Sequence, residues 1–276
     1  MATHLERIVA AHRRAAADDR RPLGGLIEAA AACPPPRDFR AGLRSAEGLA
    51  VIAEIKRRSP SRGALDEALV AGEVAAAYRD GGAACLSVLT ESGFFGGSPE
   101  DLAAAREASG LPVLRKDFTV VPADVCDARI MGADAVLLIV AALDPEELAT
   151  LAGLAADLGL AALVEVHGED EVHAATAAGA DLVGVNQRDL ATFEVDPARA
   201  RRLRAALPEG VVAVAESGVK GPGDARVLAD AGYDAVLVGE SLVLAGDRAA
   251  AVAALRSAGS PRRSGPSPVG ENGSCS

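Results

Sequence analysis

Ionisable residues recur where short apolar runs of the chain give out. VIAEIKRR closes on Glu54 and Lys56, LPVLRKDF on Arg115, Lys116 and Asp117, LVEVH on Glu165 and His167, and VAVAES on Glu216 and Ser217. Intervening runs finish in Ser87 and Thr90, in Ile139, in Asn186 with Arg188, and in Gly239, Glu240 and Ser241. A single charge run is a solvated loop, but the same ending met run after run predicts that these groups share one surface. Lys56, Lys116 and the glutamates 54, 165 and 216, crowded at a partly desolvated mouth, should raise some carboxyl pKa values and lower an ammonium pKa, as proton transfer requires. A Ser-His-Asp triad is not expected: His4 and His12 lie near the start, His173 in a helical stretch, and His167 reads as a loop residue.

The elements that must position these groups follow from two alternating patterns. GGAACLSVL, GADAVLLIV, GADLVGVN and GYDAVLVGE form one set; GLAVIAEIK, GLPVLRKDF, GLAALVEVH and GVVAVAES form the other, interleaved with it along the chain. Each run is introduced by a glycine suited to ending the preceding helix, so the two sets predict eight strands. The segments between them have helical periodicity. In PEELATLAGLAADL, Leu148, Leu151, Leu154, Ala155 and Leu158 share a face, with Asp144 as N-cap and Pro145 in the first turn. Strands alternating with helices run parallel, and continuous Val, Leu and Ala runs fit strands covered on both faces. The expected fold is a (β/α)8 TIM barrel with an N-terminal helical extension. An open doubly wound sheet is the alternative, but its G-x-G-x-x-G turn is missing after VIAEIK.

In such a barrel the carboxyl ends of the strands converge on one mouth, where active sites gather. Residues 48–256 are the expected catalytic barrel, residues 1–47 a helical extension capping it, and residues 257–276, rich in Gly, Ser and Pro, a disordered tail. The loops after the seventh and eighth strands often cradle a phosphate with backbone N–H groups and a short helix start. Here they offer Ser217, Gly218, Gly239, Glu240 and Ser241, with Arg188 and the Ser59 loop as further donors. Glu240 suits a phosphate only if its side chain points away.

Composition limits the partners. A chain of 276 residues with net charge −11 argues against general nucleic-acid binding while leaving room for a local basic pocket. The charged start excludes a signal peptide of the usual kind, no apolar run reaches a membrane span, and a cytoplasmic protein is expected. Cys33, Cys85, Cys126 and Cys275 are too scattered for a metal or disulfide framework.

From IAEIKRRSPSRG through LSVLTESGFFGGSPEDL, LPVLRKDF, GVNQRDLATFEVD and VAESGV to LVGESLV, about residues 5 to 255, the chain resembles the indole-3-glycerol phosphate synthase family of tryptophan biosynthesis. The resemblance implies a cofactor-free lyase, leaning toward a monomer, that closes the indole ring of 1-(2-carboxyphenylamino)-1-deoxyribulose 5-phosphate with loss of carbon dioxide and water. It implies Lys116 as the general acid at the substrate carbonyl and Glu165 as its acid–base partner. Glu54 and Lys56 then flank the reacting centre, Lys56 contacting the substrate carboxylate or aiding dehydration, and Asn186, Arg188, Glu216 and Ser217 complete the polar lining. Phe95, Phe118, Leu137 and Ile139 resemble the apolar wall around the aromatic ring. Phe94 stands where a tyrosine is common, and Gln187 where Asn or Ser is more familiar. Two other readings compete: a phosphate-binding barrel such as phosphoribosylanthranilate isomerase, which would use a Cys and Asp pair, and a barrel that binds a ligand without turning it over.

Overall fold

The computed structural model describes residues 3–59, 62–189 and 192–259. The barrel strands are β1 (Ala50–Ile55), β2 (Cys85–Leu89), β3 (Val113–Lys116), β4 (Ala135–Ile139), β5 (Ala161–Val166), β6 (Leu182–Asn186), β7 (Val212–Glu216) and β8 (Ala235–Val238). They close in sequence order, each parallel to its neighbours, and β8 returns to β1 through Ala50 opposite Ala235. The expected (β/α)8 barrel is the fold. A small hairpin, Arg58–Ser59 with Gly63–Ala64, rises from the loop after β1.

The helices are α1 (His4–Asp18), α2 (Leu23–Ala31), α3 (Phe39–Arg44), α4 (Ala71–Asp80), α5 (Pro99–Ser109), α6 (Pro122–Ile130), α7 (Pro145–Asp157), α8 (Glu169–Ala177), α9 (Arg199–Arg204), α10 (Pro222–Asp230), α11 (Glu240–Val243) and α12 (Arg248–Ala258). Local chemistry sets their ends. Asp144 accepts the N–H of Glu147, and the Glu147 side chain accepts the N–H of Asp144, so two orphan donors of α7 are satisfied reciprocally. Ser98 caps α5 by accepting the N–H of Asp101, with Pro99 at the first helical position, and Gly110 ends the helix at φ 70°.

Alternate strand residues serve two cores. In β1, Ala50 and Ile52 face a barrel interior shared with Leu114, Leu163 and Val214, while Val51, Ala53 and Ile55 face the surrounding helices. Burial on both faces explains why the runs carry no polar alternation. Tyr78 and Tyr233 anchor the outer core, their hydroxyls donating to the carbonyls of Glu54 and Ala200.

The N-terminal segment touches both ends of the barrel. At the carboxyl end, His4 of α1 meets Phe94 and Phe193 edge-on, and Arg13 donates to the Ala142 carbonyl. Helix α2 descends beside α6, where Arg21 pairs with Asp127 at 2.7 Å. Phe39 and Leu43 of α3 are buried in the interior core, with the Cys85 thiol donating to the Phe39 carbonyl. Helix α12 runs to Ala258, two residues into the tail expected from 257, and residues 260–276 lie outside the described residues. Among the described residues no helix is long and apolar enough to cross a membrane.

Candidate active site

Four alternate strands each send one charged side chain into the same layer: Glu54 of β1, Lys116 of β3, Glu165 of β5 and Glu216 of β7. Side chains in a barrel of this class stack in layers of four drawn from alternate strands, and here the topmost such layer is ionic instead of aliphatic. The Lys116 ammonium lies 2.9 Å from Glu165 Oε2 and 3.2 Å from Glu216 Oε2. Lys56 Nζ lies 2.6 Å from Glu54 Oε1. Both Glu165 and Glu216 are only 1% exposed, so their charges are compensated by these partners and not by bulk water.

Two glycines make room for this layer. A Cβ at Gly184 of β6 would overlap Glu216 Oε1, and one at Gly239 after β8 would overlap Glu54 Oε1 and stand 3.0 Å from Lys56 Nζ. The requirement is volume, not backbone freedom, since neither glycine has a positive φ. The sequence places Gly239 in the expected phosphate loop and marks no role for Gly184. A glycine inside an apolar strand run was the available signal.

The electrostatics are uneven. Burial alone would deprotonate Lys116, but the carboxylates of Glu165, Glu216 and Glu54 outweigh it and hold the ammonium protonated well above its ordinary range. This corrects the expectation of a lowered ammonium pKa: three carboxylates face that lysine and favour its charged form. Burial pushes Glu165 up, yet Lys116, His167 and a hydrogen bond from Asn186 bring it well below the usual carboxylate range. Glu216 has only Lys116 against burial and the fields of Glu165 and Glu54, and is pushed up to about 7. Its Oε1 has no hydrogen-bond partner among the described residues.

His167 lies in the loop after β5, as expected, and the structure gives it a second task. Its Nε2 stands 3.4 Å from Glu165 Oε1, within ion-pair range but off the line of a hydrogen bond. Its Nδ1 and backbone N–H meet Glu171 Oε2 of α8 at 3.2 and 2.8 Å. Burial disfavours the imidazolium, but the two carboxylates outweigh it and raise the pKa to about 9.

The residues expected to carry catalysis, hold the phosphate and wall the aromatic ring all line one cavity of about 540 Å³ at the carboxyl end of the barrel, whereas the strand-end residues Ser87, Thr90, Arg115 and His167 do not. Phe95, Phe118, Leu137 and Ile139 form an apolar side, with the two phenylalanine rings 6.4 Å apart. His12 of α1 packs on Phe118 and stands 3.8 Å from Asp117, a contact the sequence did not suggest. The opposite side is Ser217, Gly218, Gly239, Glu240 and Ser241, approached by Arg188 and Ser59. Ser217 and Gly218 are both left-handed, at φ 63° and 77°. The Glu240 carboxylate is taken by Arg62 at 3.0 Å, so its negative charge is offset, and the Ser241 hydroxyl donates to the Val219 carbonyl. Arg188 donates from its guanidinium to the Phe193 carbonyl, and its N–H reaches Asn186 Oδ1. Pro60 and Ser61 of the Ser59 loop lie outside the described residues. Among those described, no cluster of His, Cys, Asp and Glu has the arrangement of a metal site.

The arrangement offers a protonated ammonium between carboxylates, an apolar slot on one side and loop N–H groups on the other. Cys85 lies at the far end of the barrel against Phe39, which removes the Cys and Asp pair of the isomerase reading. The fold recurs widely at low sequence identity. A 3-hexulose-6-phosphate synthase from Salmonella typhimurium superposes with TM-score 0.59 at 15% identity over 76% of this chain and 98% of its own. A thiamine phosphate pyrophosphorylase from Pyrococcus furiosus gives 0.57 at 18%, over 77% and 95%. Sequence relatives are nearer. Indole-3-glycerol phosphate synthase 2 of Streptomyces coelicolor is 56% identical over 80% of this chain and 86% of its own length. Indole-3-glycerol phosphate synthase of Mycobacteroides abscessus is 52% identical over 86% and 87%. The family model for indole-3-glycerol phosphate synthase matches residues 5–255, and on these grounds the chain belongs to that family.

Proposed function

We propose that the cavity closes the indole ring of 1-(2-carboxyphenylamino)-1-deoxyribulose 5-phosphate, with Lys116 as the general acid. The ring carbon bearing the carboxylate bonds to the ketone carbon, and Lys116 delivers a proton to the ketone oxygen as its negative charge develops. Carbon dioxide then leaves, its bonding pair returning to the ring, and departure of the new hydroxyl as water with loss of a proton completes the indole. The observation that carries this reading is the Lys116 ammonium, held protonated by Glu165 and Glu216 midway between the apolar slot and the loops. An acid fixed where charge develops needs no solvent reorganisation at the moment of reaction.

The other groups follow from position. Glu165, ionised between Lys116 and His167, takes up and returns the proton. Lys56, steadied by Glu54, holds the substrate carboxylate until carbon dioxide leaves. Phe95, Phe118, Leu137 and Ile139 clamp the aryl ring, and the N–H groups after β7 and β8 with Arg188 hold the phosphate. In this reading the protein is a cytoplasmic monomer in which every group assigned a role comes from the same chain, and sedimentation would check the oligomeric state. The decisive experiment is turnover of the carboxyphenylamino substrate by the purified protein. Indole-3-glycerol phosphate and carbon dioxide in equal amounts are expected, whereas tight binding with no release of either would leave a ligand-binding barrel and sink the catalytic reading.

A further inference from the structure

Gln187 lies between two cavity residues, Asn186 and Arg188, yet its own side chain is absent from the cavity lining and only 3% exposed. Its Nε2 donates to the Ser217 carbonyl at 2.7 Å. Its backbone is equally engaged: the N–H donates to the Glu216 carbonyl at 3.0 Å, and the carbonyl accepts from Asp196 at 2.8 Å. The loop after β7 is thus tied to β6 through both main chain and side chain.

What is tied there is strained. Ser217 holds φ 63°, a left-handed conformation that costs a residue with a Cβ about 1 kcal/mol or more and persists only where its surroundings over-determine it. In a trans peptide the carbonyl and the next N–H point in opposite directions. Drawing the Ser217 carbonyl toward buried Gln187 therefore aims the Gly218 N–H the other way, on the side where Gly218 lines the cavity. None of the backbone hydrogen bonds among the described residues uses that N–H. Gly218 also sits close to β6 and its loop, since a Cβ on it would stand 2.7 Å from Val195 Cγ1 and 3.4 Å from Gln187 Nε2. Ser241 clamps the far side of the loop by donating to the Val219 carbonyl at 3.0 Å.

We infer that Gln187 is a positioning residue for the substrate phosphate: it holds the Ser217 peptide so that the Gly218 N–H meets a phosphate oxygen, and it never touches substrate itself. The inference rests on the reading of this loop as the phosphate site. It also accounts for the residue type. Asn at this position is one carbon–carbon bond shorter and cannot span to the Ser217 carbonyl from the same backbone, so this chain's loop depends on glutamine.

The test compares Gln187→Met, which keeps volume and loses the donor, with Gln187→Glu, which sets a carboxylate against the carbonyl. KM, kcat, melting temperature and the competitive inhibition constant of inorganic phosphate are measured for both and for wild type, with Arg188→Ala as the reference. Expected for Gln187→Met is a rise of roughly five- to tenfold in KM and in the phosphate inhibition constant together, with kcat within about twofold, the scale of one hydrogen bond. Gln187→Glu should rise further. If phosphate competes in wild type and Arg188→Ala raises KM, but both Gln187 variants keep wild-type KM and inhibition constants, Gln187 has no positioning role while the phosphate reading stands. If phosphate does not compete in wild type and Arg188→Ala is silent, the phosphate reading fails and takes this inference with it. A fall in kcat or in melting temperature at unchanged KM would also overturn it, since that is the mark of general packing.

Discussion

At the amino-terminal end of the barrel, Asp134 receives four hydrogen bonds, from the N–H groups of Arg37 and Val113 and from Nε and Nη2 of Arg106. At the carboxyl end Glu216 is as deeply buried, yet one of its oxygens has no partner among the described residues and the other shares an ammonium with Glu165. Both ends therefore bury carboxylates, and what separates them is satisfaction. A fully bonded carboxylate at the base ties β3, β4, α5 and the N-terminal extension together. An under-bonded one at the mouth keeps capacity for a substrate, at a cost in stability that the base offsets. Asp234 repeats the basal device by accepting the Ala213 N–H at 2.9 Å.

Substitutions at the two ends should separate along the same line. Lys116→Met is expected to lower kcat by roughly 100-fold or more, the scale of general acid catalysis, with much smaller changes in substrate affinity and melting temperature. Retention of most of the rate would remove Lys116 from the central step. Asp134→Ala should do the reverse, costing about 3 kcal/mol by stripping Arg106 and two backbone donors of their acceptor. A calorimetric fall of roughly 5–10 °C with KM and kcat unchanged at 25 °C is the expected result. If activity fell while the melting temperature held, the contrast between the ends would be wrong.

Smaller effects sharpen the contrast within the mouth itself. Arg188→Ala or Ser217→Ala should raise KM by roughly tenfold and leave kcat nearly alone if both hold phosphate alike in ground and transition states. Unchanged KM in both variants would move the phosphate elsewhere. The least effect concerns pH. His167 carries a pKa of about 9 in the folded chain against an ordinary value of about 6.5. The folded state binds the extra proton, so this contribution to stability is complete below about pH 6.5 and lost as pH rises through about 9. Glu216 acts in the same direction at lower pH, being complete below about 4.3 and lost through about 7. Denaturation midpoints followed from pH 6.5 to 9.5 should therefore fall less steeply in His167→Asn than in wild type, and parallel curves would show that the imidazolium does not stabilise the fold.

The strands could be read in the sequence because each begins with the same punctuation and ends with the same change from apolar to charged. The cavity residues could be read for the related reason that strand ends in a closed parallel sheet must converge. Pairing across the barrel could not be read. Lys116 and Glu216 are separated by 100 residues, and nothing local announces that they touch. The aspartate in GADAV and GYDAV repeats in the sequence, but its bond to the start of the preceding strand depends on a register visible only in the closed barrel. Gly184 and Gly239 work through the volume they leave empty, and Gln187 through a carbonyl 30 residues away. Such roles are invisible until the neighbours are in place.

The buried tyrosines carry one consequence of a different kind. The chain has no tryptophan, and Tyr78 and Tyr233 are its only phenols. Both are shut away from solvent with their hydroxyls committed to carbonyls, and without tryptophan the protein is close to dark when light is tuned to excite indole. A family whose product carries an indole ring is here housed in a scaffold without one. Emission can therefore follow the indole ring as it forms in the cavity and again as it leaves, with no label attached and little contribution from the protein itself.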